Sequence, residues 1–200
     1  PTSPIRPDAR RANFESFIKK YARDFDNRIV IYFAGHGATL TFVDGRAMGY
    51  VVPADAPSPS KDQAGFEDVA HDMKTIETYA NQIRSKHALF VFDCCFSGSV
   101  FYVTRAGVPP VISYKASMPV RQLITSGSET ESVPDVSIFR EQFVAALNCE
   151  GSDLNGDGYL TGEELGVFLE EKVINYSGDT QHPQYGKIRD PKLGKGDVVF

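Results

Sequence analysis

The chain has 200 residues, 42% of them hydrophobic and 24% charged, with a formal net charge of −5. That length supports one sizeable core and a single domain, and the composition is that of an ordinary soluble globular chain. The acidic balance, with no Lys/Arg cluster to track phosphates, argues against a nucleic-acid partner, and no apolar run approaches the ~20 residues that span a bilayer.

Residues 9–23 carry Phe14, Phe17, Ile18 and Tyr21 at helical spacing, which predicts a helix with one buried face. Arg28–Ala34 (RIVIYFA) is a short, nearly continuous apolar run, the pattern of a strand buried on both faces. Residues 40–43 and 48–52 flank Asp44-Gly45, a hairpin signal, and the Pro/Ser/Asp stretch 53–62 reads as a loop. A helix follows at 71–84, then a second buried strand at 87–92 (HALFVF) and a third at Val120–Thr125. Helices are expected at 136–148 and 162–173, a surface loop at 183–191 and a closing strand at 197–200. Strands alternating with helices favour right-handed crossovers and a mostly parallel sheet with helices on both faces.

The three cysteines form no disulfide framework. A bridge between the adjacent Cys94 and Cys95 would be strained, and Cys149 stands alone, so a reducing, cytoplasmic location is expected. The chain opens at Pro1 without an initiator Met, which suggests a fragment or a processed form.

Two strands end alike. The first runs into Gly35-His36-Gly37, the second into Asp93-Cys94-Cys95-Phe96-Ser97-Gly98. In open α/β sheets, sites form where loops leave the carboxyl ends of neighbouring strands, so His36 and Cys95 are expected to face one crevice. A thiolate is the reactive form of cysteine, and a nearby imidazole assists its formation or protonates a leaving amine. Backbone N–H groups at Gly37 and Cys95 are candidates to hold a developing oxyanion. Cys94 is expected to be a small packing residue. His71, His87 and His182 lack ligand partners at usable spacing and read as structural or surface residues.

IYFAGHG and FVFDCCFSG resemble the two catalytic signatures of the caspase/metacaspase family, particularly its bacterial caspase-like (orthocaspase) members. GYVVPADA (49–56), RQLITSGSETE (121–131), the helix near 136–147 and the closing GDVVF extend the likeness over nearly the whole chain. The resemblance implies a caspase-like three-layer sandwich, with residues 1–118 similar to the large subunit and 119–200 to the small one. The family's first strand and helix are not found in this chain, and that strand normally lies in the middle of the sheet. The implied activity is a cysteine endopeptidase with Cys95 as nucleophile and His36 as general acid/base. Asp93, matching the acidic residue two places before the nucleophile, implies cleavage after Arg or Lys, with Ala34 and Ser126 on the substrate side. Asp93 as a mere turn cap is the competing reading. Ala34 stands where metacaspases often carry Ser, and Phe96 where they commonly carry His. A protein or peptide substrate is implied, with a regulatory protein or an N-terminal segment as possible partner. The rival reading is a catalytically silent caspase-like module that signals or binds calcium.

Asp153 to Glu164 (DLNGDGYLTGEE) matches an EF-hand calcium loop. Asp153, Asn155 and Asp157 offer side-chain oxygens at positions 1, 3 and 5, and Gly158 supplies the turn at 6. Tyr159 offers its carbonyl at 7, Thr161 sits at 9, and Glu164 is placed to bind at 12, with Leu160 expected to pack inward. Only one such loop is present, and Gly151-Ser152 shortens the entering helix, so a metal-free structural turn is the alternative.

Overall fold

The computed structural model describes residues 11–21, 23–94, 101–103, 112–128, 131 and 137–200. Their elements, in order, are α1 (Arg11–Tyr21), β1 (Arg28–Ala34), β2 (His36–Thr41), β3 (Ala47–Val52), α2 (Gln63–Val69) and β4 (His71–Asp72). They continue with α3 (Met73–Gln82), β5 (His87–Asp93), β6 (Phe101–Val103), α4 (Ile112–Ser117), β7 (Val120–Thr125), α5 (Ile138–Leu147), α6 (Gly162–Ser177) and β8 (Gln184–Ile188).

Among the described residues the main sheet has the order β1-β5-β7-β8-β6. β1, β5 and β7 are parallel, whereas β8 runs antiparallel to both β7 and β6, so the sheet is mixed but mostly parallel, with β8 the one reversed strand among those described. β5, central among the parallel strands, has all seven residues buried, as its unbroken apolar sequence predicts. One face of the sheet (Ile31, Phe33, Phe90, Phe92 and Leu123) packs on Ile18 of α1 and Met73 and Ile76 of α3. The other (Leu89, Val91 and Ile124) packs on Phe139 and Phe143 of α5 and Leu165 and Phe168 of α6. Helices thus cover both faces.

Four expectations are corrected. β1 is not buried on both faces: its residues alternate, with Val30 37% exposed. It lies at an edge of the sheet, and on the α5 side only the Tyr32 ring is covered, 5.4 Å from the Phe143 ring. Residues 183–191 are not a surface loop, because β8 threads through them with Tyr185 and Ile188 buried. Residues 197–200 form no regular strand: their ladder pairing among the described residues is the isolated Thr161–Val199 bridge, and Gln122, Leu160 and Gly162 hold them by further hydrogen bonds. The helix expected at 71–84 begins two residues late, since His71 and Asp72 pair with Val51 and Tyr50 as β4 and Asp72 then caps α3. The hairpin stands as expected, β2 pairing with β3 around Gly45, whose φ of +80° suits the turn.

Two adjacent residues of β7 hold the layers together. Arg121 is buried and donates to the carbonyls of Ala80 (2.7 Å), Lys86 (3.0 Å), Val120 (2.9 Å) and Ile83. Its charge thus sits at the carbonyl-rich end of α3, where a cation is favoured, although burial pulls it down to about 10. Gln122 donates to Tyr185 Oη (2.5 Å) and to Asp197, and accepts from Val198 N (2.8 Å). Beside it Glu163 bridges Lys115 (2.6 Å) and Lys187 (2.7 Å).

Asp197 is fully buried, and burial raises its carboxyl to about 6, although Gln122 and nearby Lys187 pull the other way. A carboxyl raised on folding contributes stability below its unfolded value, and this is lost as pH rises through about 6. Asp197→Asn imitates the protonated form. Its Tm should match that of the parent near pH 4 and exceed it above pH 7, by up to roughly 3 kcal/mol of stability. Thermal denaturation across that range checks this, and a lower Tm for the variant at pH 7.5 would refute it.

Candidate functional site

The level ends of β1, β5 and β7 create one rim. Ala34 lies opposite Asp93, and Phe92 opposite Thr125, so the chain leaves all three parallel strands at the same height. Gly35 N donates to Asp93 O (3.4 Å), and Ser126 N donates to Phe92 O (2.9 Å). The exits of β1 and β7 are therefore each bonded to the end of β5.

His36 opens β2, is exposed, and is paired with Val52; Gly37 follows, paired with Val51. Ala34 is exposed at the end of β1. Gly35 stands where a side chain would strike the ring of Phe33, since its Cβ would fall 2.8 Å from that ring's tip. Cys94 is buried within the core cluster that contains Phe90 and Phe92, which agrees with its expected packing role. Cys95 lies outside the described residues, as do Phe96, Ser97 and Gly98.

Asp93 is 6% exposed. Its Oδ2 accepts from Tyr32 Oη (2.9 Å) and Ser137 Oγ (2.6 Å), and its Oδ1 is buried with no partner among the described residues. Burial first, and then the neighbouring Asp93 charge, raise the Tyr32 phenol, which stays a donor. Ser137 also accepts from Arg140 N (2.9 Å) as the cap of α5, so that helix is tied directly to Asp93. Ser126, expected on the substrate side, is fully buried; its Oγ donates to Cys94 O (3.4 Å) and its own carbonyl accepts from Gln181 Nε2 (2.7 Å). Its side chain supports the β5 exit rather than facing solvent.

Sequence reasoning passed over a cluster on the far side of this rim. The Glu131 carboxylate accepts from Ser128 N (2.8 Å) and His182 N (2.9 Å) and pairs with His182 Nδ1 (2.6 Å). The other ring nitrogen, Nε2, lies 3.1 Å from Asp179 Oδ1. These bonds fasten the segment leaving β7 to the turn that leads into β8. No fixed spacing announces such a cluster, since Glu131 and His182 are 51 residues apart.

In the 153–164 loop, Asp153 Oδ1 accepts from Gly156 N (2.8 Å) and Asp157 N (3.2 Å), and its Oδ2 accepts from Gly158 N (2.9 Å). The amides, that of Gly158 foremost, hold the Asp153 carboxyl below its usual range. Asn155 Oδ1 accepts from Asp157 N (2.8 Å), and Asp157 Oδ1 from Tyr159 N (3.0 Å). Gly156 and Gly158 have φ of +73° and +86°, a backbone region that glycine enters without cost. Leu160 packs inward as expected. Glu164 is buried, with Oε2 accepting from Thr161 N and Oγ1 (both 2.9 Å) and Oε1 without a partner among the described residues. Among the described residues, no three His, Cys, Asp or Glu side chains are already gathered for a metal.

No protein-family model and no curated protein matches the chain. Among solved structures it is similar to the crystal structure of protein GSU0716 from Geobacter sulfurreducens, a structural-genomics target. That match has a TM-score of 0.54 at 14% identity and covers 94% of this chain and 78% of the other. It supports the α/β fold. Among the described residues no helix is long and apolar enough to cross a membrane.

The histidines separate cleanly by environment. Hydrogen bonding to Glu131 raises His182, whereas burial, aided by the Arg28 charge, pushes His87 down to about 4. A ring raised on folding stabilises below its unfolded pKa, and that gain is lost as pH rises through the folded value. Glu131 works in the opposite sense: burial pushes it up, but the His182 and Ser128 bonds hold it down. The full ion pair therefore spans the window from below the usual Glu value to above the usual His value. An NMR titration should show His182 titrating above 6.5 and His87 staying neutral to about pH 4. Glu131→Gln should lower the His182 midpoint, with Asp179 at the other ring nitrogen keeping part of the rise; an unchanged midpoint would refute the pairing.

Proposed function

We propose that this chain is a cysteine endopeptidase of the caspase-like type that hydrolyses peptide bonds after Arg or Lys. The observation that carries the reading is the Gly35 N–Asp93 O bond, which makes the exits of the His36 and Cys95 strands neighbours at one rim. Two loops that each bring one half of a thiol–imidazole pair to a common crevice form the arrangement nucleophilic catalysis needs.

In this reading the Cys95 thiolate attacks the scissile carbonyl carbon, and the backbone N–H groups of Gly37 and Cys95 donate to the oxyanion that forms. His36 gives its proton to the leaving amine as the C–N bond breaks, leaving a thioester on Cys95. Water, deprotonated by His36, then attacks the thioester; the carboxylic acid product leaves and the thiol is restored.

Asp93 supplies the selectivity. Among the described residues its partners are two side-chain hydroxyls, those of Tyr32 and Ser137, which hold the carboxylate at the strand end. The remaining oxygen is buried and unpaired among the described residues, and a buried acceptor left unsatisfied costs ~1–3 kcal/mol. A substrate guanidinium or ammonium would satisfy it through a charge-assisted hydrogen bond. Ala34, exposed opposite Asp93, leaves room beside it.

An epoxide or acyloxymethyl-ketone probe with Arg at the cleavage position should label the parent and Cys94→Ala, but not Cys95→Ala. Labelling that survives in Cys95→Ala would reject Cys95 as nucleophile, and no labelling of the parent would favour a silent module. With fluorogenic peptides, Asp93→Asn should lower kcat/KM for Arg and Lys substrates by about 100-fold, in line with loss of one partner of a buried charge pair. Preferential cleavage after Asp would refute the specificity.

A further inference from the structure

The 153–164 loop is a second site, independent of the peptidase reading, and we propose that it binds one calcium ion and uses the C-terminal segment in place of a second EF-hand. EF-hand loops ordinarily occur in pairs, and this chain has a single matching loop. The structure offers a substitute for the missing partner. Gly162 N donates to Val198 O (2.8 Å), Phe200 N donates to Leu160 O (2.8 Å), and Thr161 and Val199 form an antiparallel bridge. Loop positions 8 to 10 are thereby held by residues 198–200, of which Val198 and Val199 are buried.

The helical frame also has the right register. Thr161, at loop position 9, is the N-cap of α6, and Glu164, at position 12, is its N3 residue, the two forming a capping box. At the other end Ser152 is buried, and its Oγ donates to Ala146 O (2.6 Å), fixing the loop entrance to α5. α5 and α6 share one core cluster, so entry and exit are both anchored.

Glu164 points to the ligand. It is only 2% exposed, its carboxylate lies against loop residue Thr161, and its Oε1 is unpaired among the described residues. A buried carboxylate oxygen without a donor is a costly feature that a hard cation relieves. Asp153, Asn155 and Asp157 present oxygens in the same loop, and the Tyr159 carbonyl completes a set of hard ligands suited to Ca²⁺ rather than a softer metal. Those three side chains are already oriented by loop amides, so Glu164 is the one ligand whose carboxylate must be drawn onto the ion. Binding should therefore tighten the start of α6 and, through Gly162 and Leu160, the C-terminal segment.

Isothermal titration with CaCl₂ should give saturable 1:1 heat with a Kd in the range of about 10⁻⁵–10⁻³ M, and Ca²⁺ should raise Tm where equal Mg²⁺ does not. Bound Tb³⁺ should show luminescence sensitised by Tyr159 that Ca²⁺ displaces. Glu164→Gln keeps the capping box, because Gln serves at N3, so it should fold with a similar metal-free Tm yet bind Ca²⁺ at least 10-fold more weakly. In the parent, Ca²⁺ should slow amide exchange at Gly162 and Phe200. Absence of heat and of a Tm shift at millimolar Ca²⁺ would overturn the proposal, as would unchanged affinity in Glu164→Gln. Unchanged exchange at Phe200 despite binding would overturn the role of the C-terminal segment. None of these readouts uses peptidase activity, so they stand or fall apart from the Cys95 reading.

Discussion

The molecule depends first on the register of β1 against β5. Side chains alternate across a strand, so a slip of one residue would turn Ile29, Ile31 and Phe33 away from the α1–α3 core. Core burial thus sets which residues stand opposite, and the result is Ala34 beside Asp93. The Gly35–Asp93 bond follows from that register. The same logic operates between β5 and β7, where Phe92 opposite Thr125 delivers Ser126 to the carbonyl of Cys94. Hydrophobic packing of ordinary side chains therefore decides, several residues away, which polar groups meet at the rim.

β7 shows how a buried strand accommodates polar residues without losing its place. Arg121 and Gln122 are both almost fully buried and point to opposite faces. Among the described residues Arg121 has no carboxylate partner and relies on four carbonyls, three of them at the end of α3 and the connection to β5. Gln122 satisfies both ends of its amide with the C-terminal segment and Tyr185. Each would be expensive to bury alone, and each has partners supplied by a different layer. Their opposed bonding locks α3 to one face and the chain's end to the other.

Much of this was legible in the residues, for definite reasons. β1, β7, the hairpin and the helices near 138–147 and 162–177 carry strong periodicity or apolar runs, and Leu160 was placed inward by its loop position. β8 was hidden because QYGKI lies among prolines and carries Gln184 and Lys187. Lys187 is tolerated there because its ammonium meets Glu163 and the Gly196 carbonyl, partners that no local pattern reveals. α2 was missed because its start is a single Asp62 cap in a polar stretch and Phe66 is its one buried residue. The candidate site was legible in its strand-end motifs, since strand ends are where local sequence and site position coincide. The Glu131–His182 clasp was not, because it joins two loops through tertiary folding alone.

Three buried carboxylates, Asp93, Glu164 and Asp197, each keep one oxygen unpaired among the described residues, and their surroundings give those oxygens different meanings. Asp197 lies 3.9 Å from the Lys115 ammonium and is enclosed by Gln122, so its cost is met within the protein, partly by a raised affinity for a proton. Among the described residues Asp93 and Glu164 have no lysine or arginine in a comparable position: their partners there are hydroxyls and a backbone amide. Those donors satisfy one oxygen of each carboxylate and leave the other to whatever cation arrives. One stands at the end of a strand beside an exposed histidine, the other at the first turn of a helix that closes a loop of oxygen donors. On the two proposals made above, the location of each unmet acceptor would select its complement: an extended organic cation at the rim, and a compact hard ion within the loop.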